Sequence, residues 1–331
     1  MNSRIRAQSR QMCLDFYVLE DEARQFSQLH SLWDSIPNRF FWGRQEDPKA
    51  MSVRTFRYLG RTLTSTLVPG SLRVKAENGD EYRFYRPGIR EELVLDALVH
   101  LASKGKADMR TRNGEALVSV TFSLYELRKE LAARKHTYNL DQIKAALETM
   151  KRSSLKIEDP IGEFTAEVSM LYEYSTNRKG RCYVLFNSLL SRDIRQLRFR
   201  RFNYCKAMEC SQALARWLLK RISLRFLQAS PADKWRIRLS TIQAESPMGK
   251  YARTRDALKK VQAAFDELFN RGVIAESDIE PRHEGKDPRK ITDALCWVRC
   301  TSRFCTEMKR SNQLSAQSQR SLRSVSNDLK F

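Results

Sequence analysis

No apolar run in this chain is long enough to cross a bilayer. The opening residues, MNSRIRAQSR, carry charge with no apolar stretch behind them, so no secretory signal is expected. Histidine is scarce: His30, His100, His136 and His283 are far apart, and none forms His-x-His. That excludes a metal-dependent nickase, which needs paired histidines and a nucleophilic tyrosine. A glycine-rich loop ending in Lys-Ser/Thr is also missing, so no phosphate-cradling ATPase signature is present. Seven cysteines cannot all pair internally, and in a chain expected to stay in the cytosol they should be free thiols. Cys296, Cys300 and Cys305 invite a zinc site, but tetrahedral zinc takes four ligands at tighter spacings. Buried thiols are the expectation there. No metal, cofactor, membrane association or enzymatic activity is expected.

What the chain does have is apolar material and positive charge. Its 331 residues are 41% hydrophobic and 10% aromatic, enough for two ordinary domains with appendages. Lys plus Arg is 60 against 39 Asp plus Glu, a formal net charge of +21. Residues 1–50 carry equal numbers of basic and acidic side chains, so the surplus lies after Met51. A field of that sign attracts polyanions, and nucleic acid is the usual one.

The fold class expected is α+β: two tandem winged-helix domains with an N-terminal helical/β appendage and a disordered C-terminal tail. Residues 1–50 form the appendage, where Val18, Phe26, Leu29, Trp33 and Ile36 fit one face of an amphipathic helix. That helix either packs on the body or serves as a dimerising arm. Residues 51–190 read as the first winged-helix domain with an extra hairpin turned at Asn78-Gly79. Within it come a helix over 91–103, a strand over 116–122, and a helix over 124–132 capped by Ser123. A polar turn over 134–139, a second helix over 140–151 with Ile143, Leu147 and Met150 inward, and β segments to 187 complete the unit.

The same order recurs over 191–305, after a basic linker. A long helix over 208–228 and a strand over 235–239 precede a short helix capped by Thr241. Then follow the turn Pro247-Met248-Gly249, a helix over 254–270 stopped at Gly272, and wing strands. Adding 118 carries Ser123 to Thr241, Ile143 to Val261, Leu147 to Phe265, Met150 to Leu268 and Leu155 to Val273. Residues 306–331, rich in Ser, Gln and Arg, read as a disordered tail.

In a helix-turn-helix the second helix enters the major groove and its N-terminal half meets base edges. In the second unit the candidates are Lys250, Arg253, Thr254, Arg255, Lys259 and Gln262. Arg can pair bidentately with guanine, and Gln with adenine. In the first unit they are Lys135, Tyr138, Asn139 and Gln142, on a helix whose outward face, with Ala145, Glu148, Thr149 and Arg152, is less basic. This unit binds DNA more weakly, or by backbone contacts, or forms a dimer surface. Wing cations suited to phosphates are Arg178, Lys179 and Arg181, then Arg282, His283, Lys286, Arg289 and Lys290. In the linker, Arg198, Arg200 and Arg201 alternate with apolar residues; they sit over the DNA backbone or pack helices.

Residues 181–230 carry a family resemblance. The wing strand, Ile194-Arg195-Gln196-Leu197, Phe202-Asn203-Tyr204 and Ala215-Arg216-Trp217-Leu218 resemble the joint between winged helices in plasmid replication initiators of the RepA and TrfA type. The similarity extends loosely over residues 90–305. It implies binding to repeated duplex sites (iterons) at an origin, local duplex opening, and recruitment of host initiator and helicase proteins. It also implies repressing homodimers and active monomers. The competing expectations are a winged-helix transcriptional regulator and a nucleic-acid binder without sequence preference. Elemental analysis of the purified chain should find zinc far below one atom per molecule; stoichiometric zinc would overturn the thiol expectation.

Overall fold

The computed structural model describes residues 11, 13–19, 25–42, 47, 49–76, 79–162, 164–177, 180–249, 251–283 and 291–328, with side chains to residue 320. A short helix α1 (13–17) leads to strand β1 (Phe26–His30) and a 3-10 turn at Trp33–Ser35. The amphipathic helix expected through Phe26, Leu29, Trp33 and Ile36 does not form. β1 instead pairs antiparallel with a strand some 170 residues later, from Phe26↔Asn203 to His30↔Phe199. Leu29, Trp33 and Ile36 are buried as expected, but a free strand edge satisfies the backbone that a helix would have satisfied internally.

Strands β2 (Ser52–Tyr58) and β3 (Arg61–Val68) form a hairpin, followed by a second hairpin, β4 (Gly70–Ala76) and β5 (Gly79–Tyr85). The second is the one expected from Asn78-Gly79; Asn78 itself lies outside the described residues. Helix α2 (Ile89–Leu101) is buried almost all round. Strands β6 (Ala107–Arg112) and β7 (Glu115–Ser123) pair across a tight turn; β6 was not anticipated. Helix α3 (Leu124–Ala133) begins where Ser123 Oγ accepts the Glu126 N–H at 3.0 Å. Helix α4 (Leu140–Arg152) buries Ile143, Ala146, Leu147 and Met150. Strands β8 (Ser154–Glu158) and β9 (Thr165–Ser169) extend the first hairpin into a sheet ordered β2-β3-β8-β9. Strands β10 (Leu171–Thr176) and β11 (Arg181–Phe186) form the wing and join β7 in the order β10-β11-β7-β6. The β4–β5 hairpin packs on the C-terminal end of α4 so closely that a Cβ on Gly70 would lie 2.9 Å from the Arg152 carbonyl carbon.

Helix α5 (Ser188–Arg195), strand β12 (Phe199–Asn203) and helix α6 (Tyr204–Met208) form the joint, so the linker is fully structured. The second unit is helix α7 (Ala213–Arg225), strand β13 (Lys234–Arg238), helix α8 (Leu239–Glu245), helix α9 (Thr254–Asn270), and strands β14 (Ile274–His283) and β15 (Ile291–Cys300). Its sheet is ordered β13-β15-β14, so the order helix, strand, helix, turn, helix, hairpin occurs twice. Gly272, at φ +62, ends α9 at the position expected for a left-handed stop. The internal repeat holds at the core, where Ile143, Leu147, Met150 and Leu155 and their counterparts Val261, Phe265, Leu268 and Val273 are all buried. It fails at the cap. Thr241 lies inside α8, whose N-cap is Arg238 without a side-chain bond.

The tail expected to be disordered forms helix α10 (Ser302–Asp328); residues 329–331 lie outside the described residues. Phe304, Cys305 and Met308 anchor its start in the core. Beyond them a polar ladder takes over along β12. Asn203 Nδ2 donates to Glu307 Oε2 (3.3 Å), Ser311 Oγ to the Arg201 carbonyl (3.0 Å), Ser315 Oγ to the Phe199 carbonyl (2.9 Å) and Gln319 Nε2 to the Leu197 carbonyl (3.1 Å). Four residues of helix rise about 6 Å. Two residues of strand advance about 6.6 Å. The two repeats match, so small polar residues that looked like disorder-formers satisfy the edge of β12 in register.

The two units meet across α2 and α7. There the Glu92 carboxylate accepts the Trp42 Nε1–H (3.0 Å) and lies 3.4 Å from Arg216 Nη2 and 3.5 Å from Lys220 Nζ, with Asp96 also on Lys220. Arg216 is 1% exposed. Burial pushes the Glu92 carboxyl up, but Arg216 and Lys220, helped by Arg39, outweigh it and hold it below 4.5. Its contribution to stability is therefore complete above pH 4.5 and is lost as acidification passes the folded-state value. Glu92→Ala leaves two buried cations short of a counter-charge, so denaturant titration at neutral pH should show a loss of about 3–5 kcal/mol. A loss under about 1 kcal/mol would mean the cluster is hydrated.

Candidate nucleic-acid interface

Helix α9 is built to present one face. Ala257, Val261, Ala264, Phe265 and Leu268 recur at helical spacing and are buried. The opposite side exposes Arg253, Arg255, Lys259, Lys260 and Gln262. Among the described residues, none of these four cations has a carboxylate within ion-pair distance. Gln262 donates to Asp266 at 2.8 Å, one turn along. Asp256, in the first turn, is exposed beside these cations without pairing to them, and Glu267, further along, turns inward to accept the Ser211 and Gln212 N–H groups (2.6 and 2.9 Å). The first turn of α9 has no side-chain cap, and Thr254, half-exposed, supplies none. An uncapped helix start suits a phosphate oxygen. Lys260 was not among the residues singled out, although its place beside Lys259 put it on the same surface.

Helix α4 differs. Its outward charges cancel on the helix itself: Lys144 pairs with Asp141 (3.3 Å) and Arg152 with Glu148 (3.4 Å). Asn139 and Gln142, expected to meet bases, cap the helix instead. Asn139 Oδ1 accepts the Gln142 N–H (2.8 Å) and Gln142 Oε1 accepts the Asn139 N–H (2.9 Å). Tyr138 is half-buried against the core, and Lys135 sits exposed in the preceding turn at φ +66. Thr149, expected outward, is buried and donates to the Ala145 carbonyl (2.8 Å).

The linker arginines are only partly available. Arg198 is exposed. Arg200 is half-buried under α10 and donates to Asn312 Oδ1 at 3.0 Å. Arg201 is also half-buried, with its carbonyl taken by Ser311. These two serve the α10 contact rather than an open backbone track, because β12 turns one face to the core and one edge to α10. Arg181 is exposed at the start of β11, and Arg282 and His283 at the end of β14. Arg178, Lys179, Lys250, Lys286, Arg289 and Lys290 lie outside the described residues.

Composition alone did not single out a further cationic surface. A cleft of about 510 Å³ between α7, β13 and α8 is lined by Arg221, Arg225, Arg236, Arg238 and Trp235. Arg221 is paired with Glu245, whereas Arg236 and Arg238 project from the outer side of β13. The alternation Lys-Trp-Arg-Ile-Arg was the available signal.

No family model and no curated protein matches the sequence. Solved structures with a similar course of chain include domain 2 and domain 3 of RctB, at 10% identity over 82% of this chain and 98% of that one with a TM-score of 0.49. A second structure of RctB domains 2–3 has 11% identity, 85% and 99% coverage and a TM-score of 0.45. The Pi initiator protein in complex with iteron DNA has 13% identity over 64% of this chain and 91% of that one, with a TM-score of 0.44. Identities this low carry no residue roles from those chains to this one.

Arg253→Ala and Arg255→Ala should each lower affinity for a cognate duplex by about 1–3 kcal/mol while barely changing affinity for a scrambled one. Anisotropy titration of both duplexes measures this. Wild-type discrimination in both variants would remove these residues from base reading.

Proposed function

We propose that this chain is a sequence-specific double-stranded-DNA-binding protein that acts as a replication initiator at repeated sites in a plasmid origin. The observation that carries the DNA reading is the exposed row Arg253, Arg255, Lys259 and Lys260 at the start of α9, none of which is ion-paired among the described residues, on a helix held by its buried side. Charge of that sign on a helix of groove-filling size suits duplex DNA. The second unit is the main reader of bases, because the outward charges of α4 are already paired. The first unit and the wings add backbone contacts. The initiator role draws on the resemblance of residues 181–230 to the joint of plasmid initiators; opening of the duplex, recruitment of host initiator and helicase proteins, and a dimer-to-monomer change come with that reading. A transcriptional regulator would use the same α9 chemistry.

Two measurements separate the readings. Footprinting on DNA flanking the gene should protect direct repeats spaced by about two helical turns. A plasmid lacking its own origin should replicate when given the gene with those repeats. Protection without replication would favour the regulator, and equal affinity for scrambled duplex would defeat both.

A further inference from the structure

A groove of about 280 Å³ lies away from α9, where the β2-β3-β8-β9 sheet meets α5 and the start of β12. Its apolar wall is made by Leu32, Tyr58, Leu63 and Phe164. Leu59 of the β2–β3 turn and Asp159, where β8 ends, line its mouth. Leu59, in the β2–β3 turn, is 69% exposed and holds a left-handed backbone (φ +47) that leucine rarely adopts. Ile161, in the β8–β9 turn, is 75% exposed. The Arg61–Asp159 ion pair (3.2 Å) ties the two turns together. Leu59 is thus both exposed and held in a strained backbone at the edge of an apolar groove, and strain of this kind gathers at binding sites.

The rim supplies the second half of the argument. Asp159 is the one carboxylate lining the groove among the described residues, and it is already used: Oδ2 meets Arg61, and Oδ1 accepts the Ile161 N–H at 3.1 Å. Arg192 and Arg198 also line the groove, and among the described residues neither has a carboxylate within ion-pair distance. Arg192 lies over the Phe164 ring (5.5 Å), and among the described residues its buried Nε has no hydrogen-bond partner. Guanidinium groups lining a groove without a paired carboxylate are suited to an acid from outside, which they can hold by charge-assisted hydrogen bonds.

We infer that this groove is a docking site for a segment of another protein carrying an apolar side chain beside a carboxylate. The apolar side chain enters between Leu59, Leu63 and Phe164, and the carboxylate meets Arg192 and Arg198. Charge complementarity sets the occupant: among the described residues Arg61 and Asp159 cancel each other, which leaves Arg192 and Arg198 lining the groove without an acid. The site stands apart from the α9 face and does not depend on what that face binds.

The probe is a fluorescein-labelled seven-residue peptide alternating Asp with Leu and Phe, titrated into the full chain at about 0.15 M salt, where screening suppresses non-specific attraction. Two controls replace every Asp by Asn, or every Leu and Phe by Ser. The parent peptide should saturate, and both controls should bind at least tenfold more weakly. Leu59→Asp and Arg192→Ala should each weaken the parent at least tenfold and leave duplex binding unchanged. Failure of the parent to saturate, equal binding of the Ser control, or full binding by Leu59→Asp would each overturn the proposal. So would self-association of the wild type that Leu59→Asp abolishes, since the occupant would then be a second copy of this chain.

Discussion

The arrangement of both helix-turn-helix units depends on a carboxylate that is shut away from water. Glu92 sits between α2 of the first unit and α7 of the second, and its charge is tolerable only because Arg216 and Lys220 converge on it. Removing Glu92 would leave Arg216 without an ion-pair partner among the described residues and Lys220 with Asp96 alone, in surroundings that solvate charge poorly. Hydrophobic contact alone would let the two helices slide, because apolar packing is non-directional. A charge-assisted contact with three defined donors has far fewer alternatives. That contact is one restraint on the relative position of the two units, and so of α4 and α9.

A second restraint acts at the other side of the joint. The ladder from α10 to β12 couples the end of the second wing to the strand that also holds β1. Side-chain hydroxyls and amides act in place of a third strand, which works because helix rise and strand advance happen to agree over these residues. The joint is thereby held by hydrogen bonds on one side and buried ions on the other. The two helices differ at their surfaces: α4 pairs its own outward charges, and the exposed cations of α9 have no carboxylate within ion-pair distance among the described residues.

Much of this was legible in the chain itself. Ser123 as a cap, Asn78-Gly79 as a turn, Gly272 as a stop and the inward rows of α4 and α9 are local matters: a cap, a turn or a helical period involves residues within a few positions of one another. The exposed Arg253, Arg255, Lys259 and Gln262 followed from the same periodicity, since naming the buried row also names the outer one. What misled was context. The apolar spacing from Phe26 to Ile36 fits a helix, yet β12 offered a strand edge and pairing won. Asn139 and Gln142 looked like base readers, yet their three-residue spacing is also that of a reciprocal cap.

The sequence by itself determined the polyanion-attracting charge, the repeated helix-strand-helix-helix-hairpin order and the row of cations on α9, because composition and short-range periodicity are properties of the chain. The tertiary structure alone decided that Glu92 meets Arg216 across more than a hundred residues, that a Ser- and Gln-rich tail becomes a helix on β12, and that Leu59, Phe164 and Arg192 line one groove. Each of these needs a partner distant in the chain, and no local pattern of residues specifies which distant partner the fold will bring near.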